Sequence, residues 1–227
     1  DAVVRIGTRN IASLISTLAV SQVFVPTAPS LLNLCCHSIQ VAVAARVMAC
    51  ATNAYIVNPE HAYLCGLLHD VGHLIILQGH HQGCDPMQSN TKQSPKQYMA
   101  AKKGGYGFNH AIMGMHICKR WKIPDVLCQV VRYHHSVNFP REIEHDVKIT
   151  NLIHLTQLAD MFCVFLSLNT HVLDLAGEEL EQCIQSDVID PYPVKSPFTA
   201  NDLTLLAVPI WHEAKSMIDR LDIAAIR

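Results

Sequence analysis

Apolar residues recur along this chain at helical spacing, and almost nowhere with the strict alternation of a half-buried strand. Arg9 to Val20 places Ile11, Leu14, Ile15 and Leu18 on one face, and Pro26 closes the segment that follows. From Ser30 to Ala51 the apolar positions (Leu31, Leu34, Val41, Ala44, Ala45, Met48) cover nearly every face, which predicts a central, buried helix. Asn58-Pro59-Glu60 is a helix start, with Asn58 as cap and Pro59 at the first position, and the helix predicted from it runs Glu60 to His69. Gly72 predicts a break or bend beside Asp70. Gly79 to Pro95 is polar and rich in Gln, Ser, Asn and Gly, the composition of a loop. Asn109 is placed to cap a helix from His110 to about Trp121, and Pro124 to open one from Asp125 to His135. Thr150 to Leu168 reads as a long apolar helix containing Asp160. Asp187 to Thr199, with Pro191, Pro193 and Pro197, reads as a linker, and Asn201-Asp202 starts a final helix to about Leu221. There is no internal repeat of fixed period. The expected class is therefore all-α: a helical domain over 1–186, a Pro-rich linker over 187–200, and a C-terminal helix over 201–227 packing on the core.

Composition narrows the function. With 227 residues, 50% hydrophobic and 16% charged, the chain can bury a full core. A net charge of -2 and 6% aromatics argue against phosphate-backbone binding and base stacking, so no nucleic-acid partner is expected. No uninterrupted apolar run reaches the roughly 20 residues of a membrane helix, and no leader opens the chain, so no membrane partner and a cytoplasmic location are expected. Nine cysteines, an odd number with no CxxC pair, read as reduced core residues. Asp1 opening directly into AVVRIG predicts a piece of a longer chain.

The chemistry lies in the order His37, His69-Asp70, His110, His134-His135, Asp160. Imidazole and carboxylate hold borderline and hard divalent metals, and each member sits on a different predicted helix or helix end. His69 and Asp70 would point about 100° apart on a regular helix, so a bend is needed for both to reach one ion. His134-His135 lies at a helix C-terminus, whose negative end helps hold a cation. Asp160 sits among Leu155, Leu158, Met161, Phe162, Val164 and Phe165, where an unpaired carboxylate costs several kcal/mol. Taken singly, each has an ordinary explanation: His110 as a cap, His37 as a core imidazole, Asp160 paired with a Lys or Arg. Together they would be several unrelated buried polar residues in one small helical domain, and metal binding is the simpler account. His80-His81 reads as a solvated turn; His61, His116, His145, His154, His171 and His212 fit no such set, and Trp121 reads as a packing anchor.

The segment HAYLCGLLHDVGHLIIL resembles the hallmark of HD-superfamily metal-dependent phosphohydrolases, and more specifically of HDOD domains, HD-related output domains of bacterial signalling proteins. The likeness extends through VVRIGTRNIASLI, YGFNHAIMGMHICKRWKIP, VVRYHH and HLTQLADMF, roughly Ala2 to Leu168. It implies an HD-domain-like helical bundle in which His37, His69, Asp70 and Asp160 match the four-residue metal site. His110, His134 and His135 match the added ligands of two-metal members, HD-GYP relatives included. Two departures limit what carries over. The superfamily Lys after Asp70 is His73 here, which weakens phosphate contact at that position. SVNFPRE follows His134-His135 in place of a GYP signature, so cyclic di-GMP specificity does not transfer.

The resemblance implies a phosphohydrolase of nucleotide or phosphodiester substrates using one or two transition-metal ions, Fe or Mn first, Zn or Ni next. Asp70, Asp160 and His73 would carry catalysis, since a two-metal site activates water and His titrates near working pH. The competing implication is a non-catalytic output domain that binds a partner signalling protein or ligand. A helical scaffold without metal ranks last.

Overall fold

The apolar stretch after Ala28 forms α1 (Pro29–Ala51), whose residues Val41 to Ala45 are wholly buried. In a computed structural model, residues 29–79, 106–175 and 177–220 are described. The expected helix at Arg9–Val20, the polar segment after Gly79 and His80-His81 fall outside them. Asn58 accepts from the backbone N–H groups of Glu60 and His61, and with Pro59 it starts α2 (Pro59–Leu68) as the sequence predicts. A turn at His69-Asp70 separates α2 from α3 (Val71–Gly79). Next come α4 (Tyr106–Arg120), α5 (Asp125–Tyr133), the single turn α6 (Arg141–Glu144) and α7 (Val147–Leu168). A 3-10 turn (Thr170–Asp174), α8 (Gly177–Ile184), a π-turn (Gln185–Ile189) and α9 (Ala200–Arg220) complete the described chain. No strand occurs among the described residues, and the class is all-α.

Two buried helices organise the fold. α1 packs along α2 and also against α7 and α9. α7 is buried from Leu155 to Leu166, and its Phe162 and Phe165 join Met48, Leu127 and Ile153 in the main core. Each such side chain contributes roughly 1.5–3 kcal/mol of burial. Leu31–Ala51 and Val147–Leu168 are long and apolar enough to cross a membrane by length and composition, although neither is an uninterrupted apolar run. Both are mostly buried inside the fold, 61% and 83% of the apolar windows, the condition of core helices. α9 is held to α1 by an Arg46–Glu213 ion pair, and Arg46 also stacks over Tyr63 of α2. Before it, Tyr192 donates to the His154 carbonyl of α7 at 2.7 Å, and Phe198 is buried.

Local signals misplace several boundaries. Asn109 is inside α4 and does not cap it. α7 begins before Thr150 because Asp146 accepts from the N–H groups of Lys148 and Ile149. α5 stops at Tyr133 with His134 as its C-cap, two residues before the expected end at His135. Trp121, expected as an anchor, is 38% exposed, and Cys50 is exposed while Cys35, Cys65, Cys118, Cys128 and Cys163 are buried. The break expected beside Asp70 is the turn at His69-Asp70; Gly72 itself lies at the start of α3, where a Cβ would stand 2.0 Å from the His110 carbonyl oxygen. Its role is a close crossing of α3 and α4.

Candidate metal centre

Three glycines set the spacing of the helices that carry the donor side chains. A Cβ on Gly66 would meet the backbone of Ala42 at 2.7 Å, so α2 lies directly on α1, the helix of His37. Gly72 does the same between α3 and α4, the helix of His110, and Gly114 answers it with a Cβ position 3.3 Å from the Gly72 nitrogen. At Gly66 and Gly72 only glycine fits such backbone approaches; at Gly114 a Cβ would be tight.

Around these crossings His37, His69, Asp70, His110, His134, His135 and Asp160 converge. His37 Nε2 is 2.9 Å from Asp160 Oδ1, across a sequence separation of 123. His69 Nε2 is 3.3 Å from Asp70 Oδ2 and 4.0 Å from Asp160 Oδ1. Asp70 Oδ1 stands 3.0 Å from His110 Nε2 and 3.4 Å from His134 Nε2, and those two nitrogens are 3.3 Å apart. His135 lies beside His134 and His110, ring centroids 3.9 and 5.1 Å away. The donor atoms form two groups, His37–His69–Asp70 and Asp70–His110–His134–His135, within each of which they lie inside 4.8 Å of one another. Asp70 belongs to both. Asp160 adjoins the first through His37 and His69. His73 stacks on the His110 ring at 3.8 Å and 22°, 8% exposed.

The protons decide what this arrangement can hold. His69 Nδ1 is 2.7 Å from the Gly66 carbonyl, and His134 Nδ1 is 2.7 Å from the Val131 carbonyl. A carbonyl only accepts, so both rings donate from Nδ1 and turn Nε2 toward Asp70. This outer bond to a backbone carbonyl is how metal-ligating imidazoles are oriented. Asp70 Oδ1, His134 Nε2 and His110 Nε2 form a triangle with edges of 3.0 to 3.4 Å. Adjacent donors about 2.1 Å from a divalent ion, at angles of roughly 90–105°, are spaced about 3.0–3.3 Å apart. The residues, an all-nitrogen-and-oxygen donor set, fit a divalent metal ion.

Burial reinforces the neutral state of His134, pushing its pKa from 6.5 down to about 4; His69 and His110 push the same way, against the hydrogen bond and charge of Asp70. The sign of the stability effect follows. The unfolded ring takes up a proton as pH falls through 6.5, while the folded ring resists until about 4. Stability from this group is complete above 6.5 and lost toward 4, by at most on the order of 3 kcal/mol. Urea unfolding of metal-free protein across that window should show the decline, and His134→Gln should make it shallower. Equal slopes would show that this ring does not titrate there.

The HDOD family model matches residues 1–137. The chain belongs to the HDOD family. The matched part holds His37, His69, Asp70, His73, His110, His134 and His135; Asp160 of α7 lies beyond it. No curated protein and no solved structure matches the chain. The HDOD domain thus has a buried His/Asp cluster able to hold a metal ion. Sequence reasoning singled out the His and Asp residues that converge here but missed the glycine crossings, whose local signal was no more than isolated glycines within apolar helices.

Proposed function

We propose that this HDOD domain is a divalent-metal phosphohydrolase acting on a phosphorylated small molecule or nucleotide, serving a signalling role in the cytoplasm. The observation that carries the reading is the position of Asp70, whose carboxylate belongs to both donor groups. His37, His69, Asp70 and Asp160 would hold one ion, and Asp70, His110, His134 and His135 a second. Bound ions supply an activated water and neutralise charge on a phosphoryl oxygen. The protein's own contribution is orientation: the Gly66 and Val131 carbonyls fix two of the imidazoles, and Asp160 fixes His37. His73, flat against His110, would give or take a proton near the phosphate but is a weaker anion partner than an ammonium.

A second reading, a non-catalytic output domain docking a partner protein, is favoured by one observation. His69, Asp70, His110, His134 and Asp160 are each exposed by 1% or less, a poor entry for a phosphoester. The experiment is a screen of phosphodiesters and nucleotides with protein loaded with Mn or Fe. Hydrolysis that falls by orders of magnitude in Asp70→Ala is the expected result, with His73→Lys equal to wild type or faster. No turnover by fully loaded wild type would transfer the function to partner docking.

A further inference from the structure

Apart from the centre itself, few polar side chains are buried among the described residues: Ser38, Thr156 and Gln157. Thr156 returns its hydroxyl to the Leu152 carbonyl of its own helix, a local bond. Gln157, 4% exposed, instead reaches out of α7: its Nε2 donates to the Ser136 carbonyl at 2.7 Å. Ser136 in turn closes a tight turn, its N–H on the Tyr133 carbonyl at 2.8 Å, and the residues inside that turn are His134 and His135. Gln157 lies three positions before Asp160, so one face of α7 carries both.

The other end of the amide makes a packing role a poor explanation. Gln157 Oε1 is buried and accepts no hydrogen bond among the described residues. Such an acceptor costs roughly 1–3 kcal/mol, which Leu or Met of similar volume would avoid. What Leu or Met cannot do is hold the Ser136 carbonyl. We propose that Gln157 is a positioning residue of the metal centre, tying the His134–His135 turn to the helix that carries Asp160. Its influence falls on the Asp70–His110–His134–His135 group and not on His37–His69–Asp70. α5 and α7 also pack directly, but apolar contact permits sliding, whereas this bond fixes the turn.

The inference rests on the two-group reading of the centre. Its test is Co2+ titration of metal-free full chain, read by visible absorption and calorimetry, in wild type, His135→Ala, Gln157→Met and the double variant. His135→Ala identifies which binding event belongs to the second group. Gln157→Met should weaken that event by about 10–100-fold, the usual effect of losing an outer-shell partner, and leave the other within about threefold. The double variant should bind no more weakly than His135→Ala, because both changes act through one turn. If Gln157→Met does not fold, Gln157→Glu, of the same shape but without the N–H donor, makes the same comparison. Equal weakening of both events, or of neither, overturns the role of Gln157. Uptake of a single ion by wild type overturns the two-group reading, and this role with it.

Discussion

Asp70→Ala should abolish metal uptake by both donor groups at once. No other residue is common to the two, and its two oxygens divide between them: Oδ1 beside His110 and His134, Oδ2 beside His69. Without the carboxylate the second group keeps only imidazoles and the first only Asp160 as an anion, so both lose charge that offsets an ion's own in a buried place. Metal analysis of purified protein should fall to background. The thermal shift should vanish too: an ion at 100 times its dissociation constant raises stability by about 2.7 kcal/mol, and the variant should show none of it. Equal metal content in wild type and variant would show that Asp70 is not a ligand.

Gly72→Ala should be comparably severe, although it adds one methyl and alters no donor side chain. That methyl would sit 2.0 Å from the His110 carbonyl oxygen and 2.8 Å from the Gly114 nitrogen, all backbone, so no rotamer change can relieve it. α3 and α4 must move apart, and the 3.0 Å contact of His110 with Asp70 lies at the point where they separate. Overpacking of this kind costs typically 1–3 kcal/mol, and here metal affinity should fall with stability. Gly177→Ala is the control: a Cβ there meets nothing within 4 Å, and Ala is the better helix former. Gly177→Ala should therefore hold or raise the melting temperature, with metal binding intact. Wild-type metal affinity in Gly72→Ala would mean that the crossing does not position His110.

Much of the fold was legible residue by residue. The all-round apolar run of α1, the Asn58-Pro59 start of α2 and the apolar length of α7 each state a helix in purely local terms, through caps and periodicity. Errors arose where a residue has more than one local meaning. Asn109 has the side chain of a cap but lies inside a helix, and Gly72, which rightly marks the break at His69-Asp70, also serves a crossing that no local signal shows. The donors themselves were legible because buried His and Asp in apolar helices demand an explanation.

The sequence by itself determined the helical class, the main buried helices and the residue types able to ligate a divalent ion. Only the tertiary structure decided their grouping: that Asp70 joins two sets, that His37 meets Asp160 across a separation of 123 residues, and that His73 lies flat on His110. It also decided the protons, since the Gly66 and Val131 carbonyls put them on Nδ1 of His69 and His134. The physical reason is that periodicity states which face of a helix turns inward, but not which neighbour it meets or how closely. Those follow from helix crossings, and here the closest of them are set by the missing side chains of Gly66, Gly72 and Gly114.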